Sequence, residues 1–402
     1  MTTITTTGLT QKVLDSRPPH PPVAEIVEVQ DRAAFADPAK TSLLSAATKV
    51  RHLTPYIGTE LVGVQLSTLT PAQKDELALL AAERGVVFFR DQDITIDQQY
   101  ELTTHFGIQD RDPNQVDPRH VTILGHDYDI RQPGSFGAEY HSDHSFEINP
   151  PAYTLLRLVR TPDFGGDTMF TSQTALYDKL SPAFQKLVEG IKGVHSSEVK
   201  EGYTSSVNRG VQPFRGPVRR EHPLVRTHPV TRLKSLFYNP AFVTALSGIK
   251  GQEGIHTLNF LREHLHAADD LTVRWKWENS SVAFWDNRVV VHRAIPGGYN
   301  AEEREGKRTA VFGEKPFFDP NSESLSEQKA RGRGAIYVAP SWASRFATQR
   351  RGGSRDAETY AKQRNSICLQ PGPITPSQSL QQYPADAVRD LSHLPGVTYP
   401  IT

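Results

Sequence analysis

Three short β-prone runs follow one another closely in the second half of the chain. They occupy residues 273–277, 281–285 and 289–294, and the turn residues Glu278-Asn279-Ser280 and Asp286-Asn287-Arg288 separate them. Short runs bounded by such turn residues predict successive β-strands. Many short strands with helices packed outside are typical of an α+β chain. We therefore expect an α+β fold with a jelly-roll (double-stranded β-helix) core and flanking helices.

Helix signals lie ahead of these strands. Thr70 with Gln73, and Thr95 with Gln98, form the capping-box pattern that predicts a helix start. The helix that begins after Thr70 is expected to end at Gly85, because glycine readily adopts the left-handed conformation that closes a helix. These helices are the expected flanking elements.

The chain divides into three parts by composition. Residues 1–50 are rich in Pro, Thr and Ala without periodicity, and are interpreted as an extended or disordered N-terminal arm. Residues 51–320 contain the patterned segments and form the predicted domain. Residues 321–402 are polar and rich in Arg, Gln, Ser and Pro, and are interpreted as a peripheral C-terminal extension.

Charge and cysteine content exclude several classes of function. The 45 basic residues balance 45 acidic ones, which argues against a nucleic-acid partner. The chain has no run of apolar residues long enough for a membrane span, so no membrane partner is expected. Because Cys368 is the single cysteine, a disulfide framework and a thiolate metal cage are both excluded. The cytoplasm is the default location, and self-association into a homo-oligomer is left open.

A metal site is predicted from His141-Ser142-Asp143. Residues two apart in a strand point to the same face, so His141 and Asp143 could reach one ion together. With 15 histidines in the chain, about one such His-x-Asp tripeptide is expected by chance. His292, at the end of an apolar strand, is the natural third ligand. Two histidines and a carboxylate make the facial triad of non-haem Fe(II) oxygenases. His144 is expected to point away from the metal, if the chain is extended there.

Two arginines follow the third candidate ligand. Arg304 and Arg308 are four residues apart, and in an extended segment both side chains would face the same side. A guanidinium donates two parallel hydrogen bonds to a carboxylate or a sulfonate. The alternative interpretation is a solvated basic strand, because residues 304–308 are mostly charged.

At this point the chain resembles the TauD/TfdA family of Fe(II)/2-oxoglutarate-dependent dioxygenases, over residues 56 to 317. Six segments carry the resemblance, in this order: 85–92 (GVVFFRDQ), 140–146 (YHSDHSF), 165–168 (GGDT), 222–229 (HPLVRTHP), 286–292 (DNRVVVH) and 308–316 (RTAVFGEKP). Six segments in the family's order are far more specific than any one of them. The resemblance implies that the predicted domain is a dioxygenase domain.

The resemblance also implies a set of cofactors and the residues that hold them. His141, Asp143 and His292 would bind Fe(II) and act as the catalytic centre. Thr168 would hydrogen-bond a carboxylate oxygen of 2-oxoglutarate, and Arg304 would pair with its distal carboxylate. Molecular oxygen would be the other cosubstrate.

For the prime substrate, the resemblance points to Arg308 and Tyr140. Arg308 matches the arginine that faces the anionic group of the substrate, although the division of roles between Arg304 and Arg308 is open. Tyr140 stands where taurine dioxygenase has a tryptophan, and Gly137 stands where the bacterial enzyme has an asparagine. These departures argue against taurine itself as the substrate. The N- and C-terminal extensions are similar to those of the fungal sulfonate dioxygenase-like branch.

The preferred hypothesis is an enzyme that oxidises a small anionic organic substrate, a sulfonate first of all. Hydroxylation next to sulfur would release sulfite and an aldehyde, while 2-oxoglutarate is converted to succinate and CO2. One alternative is the same chemistry on an amino acid, an aryloxy acid or a secondary-metabolite intermediate. Another, from a different class, is a non-catalytic jelly-roll binding protein.

Overall fold

The computed structural model describes residues 23–110, 119–125, 139–198 and 216–332. The chain divides into two compact units, Met1–Tyr337 and Val338–Thr402, and every described residue belongs to the first. The helices are α1 (Thr41–Ala46), α2 (Pro71–Arg84), α3 (Ile96–Thr104), α4 (Gln173–Asp178), α5 (Pro182–Glu189), α6 (Gly251–His266) and α7 (Leu325–Ala330). In the described part of the chain, no helix combines the length and apolarity needed to cross a membrane.

The strands of the described residues form one large sheet and three small ones. They are β1 (Lys49–His52), β2 (Thr59–Val62), β3 (Val86–Phe89), β4 (Val121–Leu124), β5 (Pro151–Arg160), β6 (Thr168–Ser172), β7 (Lys192–Ser196), β8 (Arg219–Pro223), β9 (Val225–Thr227), β10 (Lys234–Leu236), β11 (Val243–Ser247), β12 (Thr272–Trp275), β13 (Val282–Asp286), β14 (Val290–Ala294) and β15 (Glu305–Phe312). The large sheet has the order β1-β2-β3-β13-β5-β15-β4, and a smaller sheet has the order β12-β6-β14. The remaining sheets are β11-β7-β8 and β10-β9. This mixture of helices and sheets confirms the α+β class.

Apolar side chains cover both faces of the large sheet. Along β3, Val87 and Phe89 join a core cluster that includes side chains of α2 and α3. Val86 and Phe88 join a second cluster that includes Phe170 of β6. Because successive side chains of a strand alternate between faces, helices cover one face and the small β12-β6-β14 sheet covers the other. The space between the two sheets is where the candidate site lies.

The helix starts follow the predicted capping patterns. The Thr70 hydroxyl accepts from the Gln73 backbone N–H at 3.3 Å, and the Gln73 side chain accepts from the Thr70 N–H at 3.0 Å. The same reciprocal pair joins Thr95 and Gln98. Gly85 ends α2 with φ +75°, and a Cβ there would lie 2.7 Å from a methyl group of Val290. Both a positive φ and a close approach therefore require glycine at that position.

The prediction of an extended or disordered N-terminal arm is wrong for those of its residues that pack on the domain. Leu43 of α1 is completely buried, and the first strand, β1, already begins at Lys49. The Asp31 carboxylate lies 2.5 Å from the Arg288 guanidinium and accepts from the Tyr153 hydroxyl at 2.8 Å. These partners are far from Asp31 in sequence, so local composition could not reveal the contacts. Residues 1–22 lie outside the described residues.

The predicted boundary at residue 320 also falls inside packed structure. Ser326 in α7 donates to the Asp178 carboxylate from its backbone N–H at 2.9 Å and from its hydroxyl at 2.7 Å. Gln328 donates to the Thr231 carbonyl at 2.9 Å. The packed part of the chain therefore continues through α7. The prediction for the rest of the extension falls outside the described residues.

Candidate active site

Three predicted metal ligands converge between the two sheets. One ligand atom from each of His141, Asp143 and His292 lies within 4.8 Å of the others. His141 and His292 exchange backbone hydrogen bonds of 2.9 and 2.8 Å. Directly opposed residues of an antiparallel pair share a face, so both imidazoles project to the same side. The ring centroids are 4.3 Å apart.

The protonation states of these side chains suit a divalent cation. Burial lowers the pKa of His141, and burial together with His141 lowers the pKa of His292 to about 3. Burial alone would raise the pKa of Asp143, but Arg308 and the neighbouring imidazoles outweigh it and lower that pKa. Neutral imidazoles and an ionised carboxylate are the forms that bind metal.

The orientation of His141 also fits a metal. Its Nδ1 lies 3.1 Å from the Glu139 carbonyl oxygen, which can only accept a hydrogen bond. Nδ1 therefore carries the proton, and the Nε2 lone pair is left for a cation. His292 Nε2 lies 3.9 Å from Asp143 Oδ1, which is compatible with a shared ion between them. The donor set is the one that a non-haem Fe(II) site requires.

Arg304 and Thr168 lie together at another part of the same inter-sheet space. The Arg304 Nε donates to the Gly166 carbonyl at 3.0 Å, and its Nη2 lies 3.5 Å from the Thr168 hydroxyl. The Trp277 indole N–H donates to that hydroxyl at 2.9 Å. Gly166 has φ +67°, and a Cβ there would lie 3.1 Å from Arg304 Cδ. Because Gly166, the second glycine of the GGDT segment, has no side chain, the aliphatic part of the Arg304 side chain can pass close to the backbone there.

Arg308 lies beside the metal cluster. Its Nη1 donates to Asp143 Oδ1, and its Nη2 lies 3.5 Å from His144 Nε2. His144 has φ +41°, so the segment is not extended there, and its Nδ1 lies 2.7 Å from the Asp110 carboxylate. The extended chain on which the expectation for His144 depended is therefore not present, and its ring reaches Arg308 instead. A positive φ at a non-glycine residue is a form of backbone strain that is frequent at functional sites.

Tyr140 does not join this cluster. Its ring is buried against Arg293, whose guanidinium carbon is 4.7 Å from the ring centroid, and its hydroxyl lies 3.8 Å from the Met169 sulfur. Tyr140 is the neighbour of His141, and Arg293 is the neighbour of His292. Because successive side chains alternate between the two faces of a strand, Tyr140 and Arg293 project to the face opposite the two histidines. The Tyr140 ring therefore lies on the opposite side of the strand from the metal ligands. Gly137 lies outside the described residues.

Three site residues were not predicted from the sequence. Trp277 donates to Thr168, and Thr154 and Asn287 hold Asp143. Asn287 is predicted only as a turn residue, and no role is predicted for Thr154, which lies in β5. The one available signal was a polar residue at an inward position of that strand, since its neighbours of the same parity, Leu156 and Leu158, are core residues.

The comparisons with known proteins agree with this geometry. The taurine catabolism dioxygenase TauD, TfdA family model matches residues 49–310. A Schizosaccharomyces pombe protein, provisionally named an alpha-ketoglutarate-dependent sulfonate dioxygenase, is 39% identical over 74% of this chain and 78% of its own. The Saccharomyces cerevisiae alpha-ketoglutarate-dependent sulfonate dioxygenase is 36% identical over 73% of this chain and 75% of its own. The crystal structure of a taurine dioxygenase from Burkholderia xenovorans has a TM-score of 0.58 and 32% identity, and covers 69% of this chain and 94% of its own.

The fold and the site thus define a jelly-roll dioxygenase with a two-histidine, one-carboxylate centre. The chain belongs to the TauD/TfdA family, and it is a 2-oxoglutarate-dependent dioxygenase that uses Fe(II), 2-oxoglutarate and O2.

Proposed function

We propose that this enzyme oxidises a small organic sulfonate at the carbon that bears sulfur. In this proposal His141, Asp143 and His292 hold the iron. Thr168 and Arg304 bind the distal carboxylate of 2-oxoglutarate, and Arg308 binds the anionic group of the prime substrate. The observation that carries the proposal is the burial of Arg304 with no carboxylate partner among the described residues.

Arg304 is only 2% exposed, and among the described residues no carboxylate lies within salt-bridge distance of it. The nearby Asp167 is taken by Arg274 at 2.6 Å. Burial lowers the pKa of Arg304, which means that folding disfavours its charge. A buried cation that has only neutral hydrogen-bond partners is costly to keep. An anionic ligand beside Thr168 offsets that cost, and 2-oxoglutarate supplies such a group.

Arg308 is the second cation, and its position supports a different role. It already pairs with Asp143, and its guanidinium has more N–H donors than its two described contacts use. An anionic substrate group bound there would lie next to the metal ligands. The S. cerevisiae relative is named for sulfonates, and taurine is itself a sulfonate. A sulfonate is therefore the anion that we propose.

The bound iron and 2-oxoglutarate supply the oxidising power, with O2 as the oxidant and succinate and CO2 as products. The protein side chains orient the reactants. Arg304 and Thr168 fix 2-oxoglutarate, and Arg308 fixes the anionic end so that the neighbouring C–H bond faces the centre. Insertion of one oxygen atom there gives a hydroxylated carbon that still carries sulfur. Breaking the C–S bond then releases sulfite and leaves an aldehyde.

The test is a substrate panel with Fe(II), ascorbate and oxygen, in which succinate and sulfite are both measured. We expect sulfite in equal amount to succinate from at least one sulfonate. Arg308→Ala should raise the KM for that sulfonate more than the KM for the cosubstrate 2-oxoglutarate, whereas Arg51→Ala, at an arginine 48% exposed in its side chain, serves as the control. Succinate from amino or aryloxy acids without sulfite from any sulfonate would overturn the sulfonate assignment. The opposite ranking of the two KM values would exchange the roles of the arginines.

The cytoplasm is the compartment that we propose. A chain with one cysteine, Cys368, needs no oxidising environment for a disulfide framework. Fractionation of cells that express the tagged full chain tests this proposal. Recovery of the protein in an organelle fraction would contradict it.

A further inference from the structure

Asp143 belongs to a closed ring of hydrogen bonds with Thr154 and Asn287. The Thr154 hydroxyl lies 2.8 Å from Asp143 Oδ2, and the Asn287 side-chain nitrogen lies 2.8 Å from the Thr154 oxygen. The Asn287 side-chain oxygen accepts from the Asp143 backbone N–H at 3.0 Å, which closes the ring. Thr154, Asn287 and Asp143 are 0%, 1% and 2% exposed, so solvent does not compete for these bonds.

The direction of each hydrogen bond follows from chemistry. The Asn287 side-chain oxygen is identified by two donors that cannot accept, the Asp143 backbone N–H and the Trp285 indole N–H, both at 3.0 Å. Its NH2 group must therefore face Thr154. Because an amide nitrogen only donates, Thr154 accepts from it and directs its single hydroxyl hydrogen toward Asp143 Oδ2. The strand β5 and the turn after β13 thus aim one donor at one carboxylate oxygen.

The two oxygens of Asp143 consequently differ. Oδ2 accepts from Thr154, whereas Oδ1 is the oxygen that lies 3.9 Å from His292 Nε2. Arg308 also donates to Oδ1, but its long side chain can turn to another anion, whereas the short Thr154 side chain is fully buried and held in place by Asn287. Carboxylates bind metal ions through one oxygen or through both.

We infer that Thr154, oriented by Asn287, is a positioning residue that restricts Asp143 to one metal bond, through Oδ1. The inference rests on the proposed role of Asp143 as an iron ligand and deepens it. A carboxylate that bound through both oxygens would take a further coordination position. The facial triad needs its remaining positions free for 2-oxoglutarate and oxygen. Thr154 thus protects the binding of the cosubstrate rather than the binding of the metal.

Thr154→Val tests this inference, because it removes the donor and keeps the shape. Two affinities are measured on the full chain: Co(II) for the metal-free protein, and 2-oxoglutarate for the anaerobic Fe(II) protein through its visible charge-transfer absorption. We expect a 2-oxoglutarate Kd raised about tenfold or more, and a clearly smaller change in the affinity for Co(II). Thr154→Ser keeps the hydroxyl and should restore the Kd. Thr171→Val, which removes a buried hydroxyl bonded to Thr272 at 2.7 Å, is the matched control.

Three results would overturn the inference. The first is an unchanged 2-oxoglutarate Kd in Thr154→Val. The second is a tenfold loss of Co(II) affinity with a normal 2-oxoglutarate Kd once metal is bound, because Thr154 would then only hold the carboxylate in place. The third is a failure of Thr154→Ser to restore the Kd.

If the valine variant does not fold, Thr154→Ala removes the same donor without adding a methyl group. Wild-type-like Co(II) affinity in Asp143→Ala would instead refute the ligand assignment, and this inference with it.

Discussion

Replacing Arg304 with methionine separates two effects that usually go together, ligand binding and stability. Arg304 is 2% exposed, and its guanidinium donates to the Gly166 carbonyl at 3.0 Å and has no carboxylate partner among the described residues. If it binds the distal carboxylate of 2-oxoglutarate, the variant loses two charge-assisted hydrogen bonds. Each contributes about 1.5–3 kcal/mol. Since about 1.4 kcal/mol corresponds to a factor of ten, we expect a Kd raised at least a hundredfold.

The same substitution should not reduce the stability of the protein when metal and 2-oxoglutarate are absent. Methionine leaves the Gly166 carbonyl without its donor, which costs about 1–3 kcal/mol. It also removes a buried cation, whose desolvation costs several kcal/mol. The pKa of Arg304 is lowered by burial, so its charged form is the one that folding disfavours. The gain from removing the buried cation is at least as large as the loss from the unpaired Gly166 carbonyl. The free energy of unfolding should therefore not decrease.

The assay is calorimetric titration of 2-oxoglutarate into the Mn(II)-loaded protein, together with thermal unfolding of the apo protein. Arg304→Lys is the informative companion, because it keeps the charge and loses the planar fork; its Kd should fall between those of the wild type and the methionine variant. An Arg304→Met protein that binds 2-oxoglutarate normally, or one that is clearly less stable when empty, would show that the arginine is structural and that the reasoning is wrong.

Two further predictions concern stability. Asp31→Ala removes one carboxylate partner of the buried Arg288, which keeps Asp286 and Glu314, and should reduce the free energy of unfolding by about 1.5–3 kcal/mol in urea titrations. The exposed Glu28→Ala should not reduce it, and equal midpoints for the two variants would contradict the packed N-terminal segment. Burial lowers the pKa of His222 from 6.5 to about 4 while its Nε2 donates to the Glu147 carbonyl at 2.8 Å. As the pH falls, the His222 imidazole is therefore protonated in the unfolded chain before it is protonated in the folded one. The stability that the folded protein has above pH 6.5 is lost as the pH falls toward 4. The loss is at most about 3 kcal/mol. His222→Gln should flatten that acid limb, and an unchanged slope would exclude His222 as its source.

Elements whose signals are local were predictable from the sequence. The capping pair Thr70 and Gln73, and Gly85 at the end of the same helix, act over three or four residues, so their pattern is visible in the sequence itself. The strands β13 and β14 were predicted within one residue of their observed bounds. Secondary structure here follows mainly from short-range backbone and side-chain preferences.

Contacts between distant segments were not predictable in the same way. The pairing of Asp31 with Arg288 joins residues 257 positions apart, and no composition rule gives either residue its partner. His144 has a left-handed backbone that an extended-strand argument cannot foresee. The role of Thr154 depends on the orientation of Asn287, which only the folded chain defines.

The division of roles between Arg304 and Arg308 was the question that the sequence left open, and strand geometry bears on it. Arg304 and Arg308 flank Gly306, where a Cβ would lie 2.8 Å from a methyl group of Leu156, so β15 packs tightly on β5. Arg304 immediately precedes β15 and Arg308 lies within it, and both guanidinium groups face the space between the two sheets. Arg304 then lies beside Thr168, while Arg308 lies beside Asp143. Two anions can therefore be bound at once without sharing a guanidinium, which an enzyme that holds a dicarboxylate and an anionic substrate together requires.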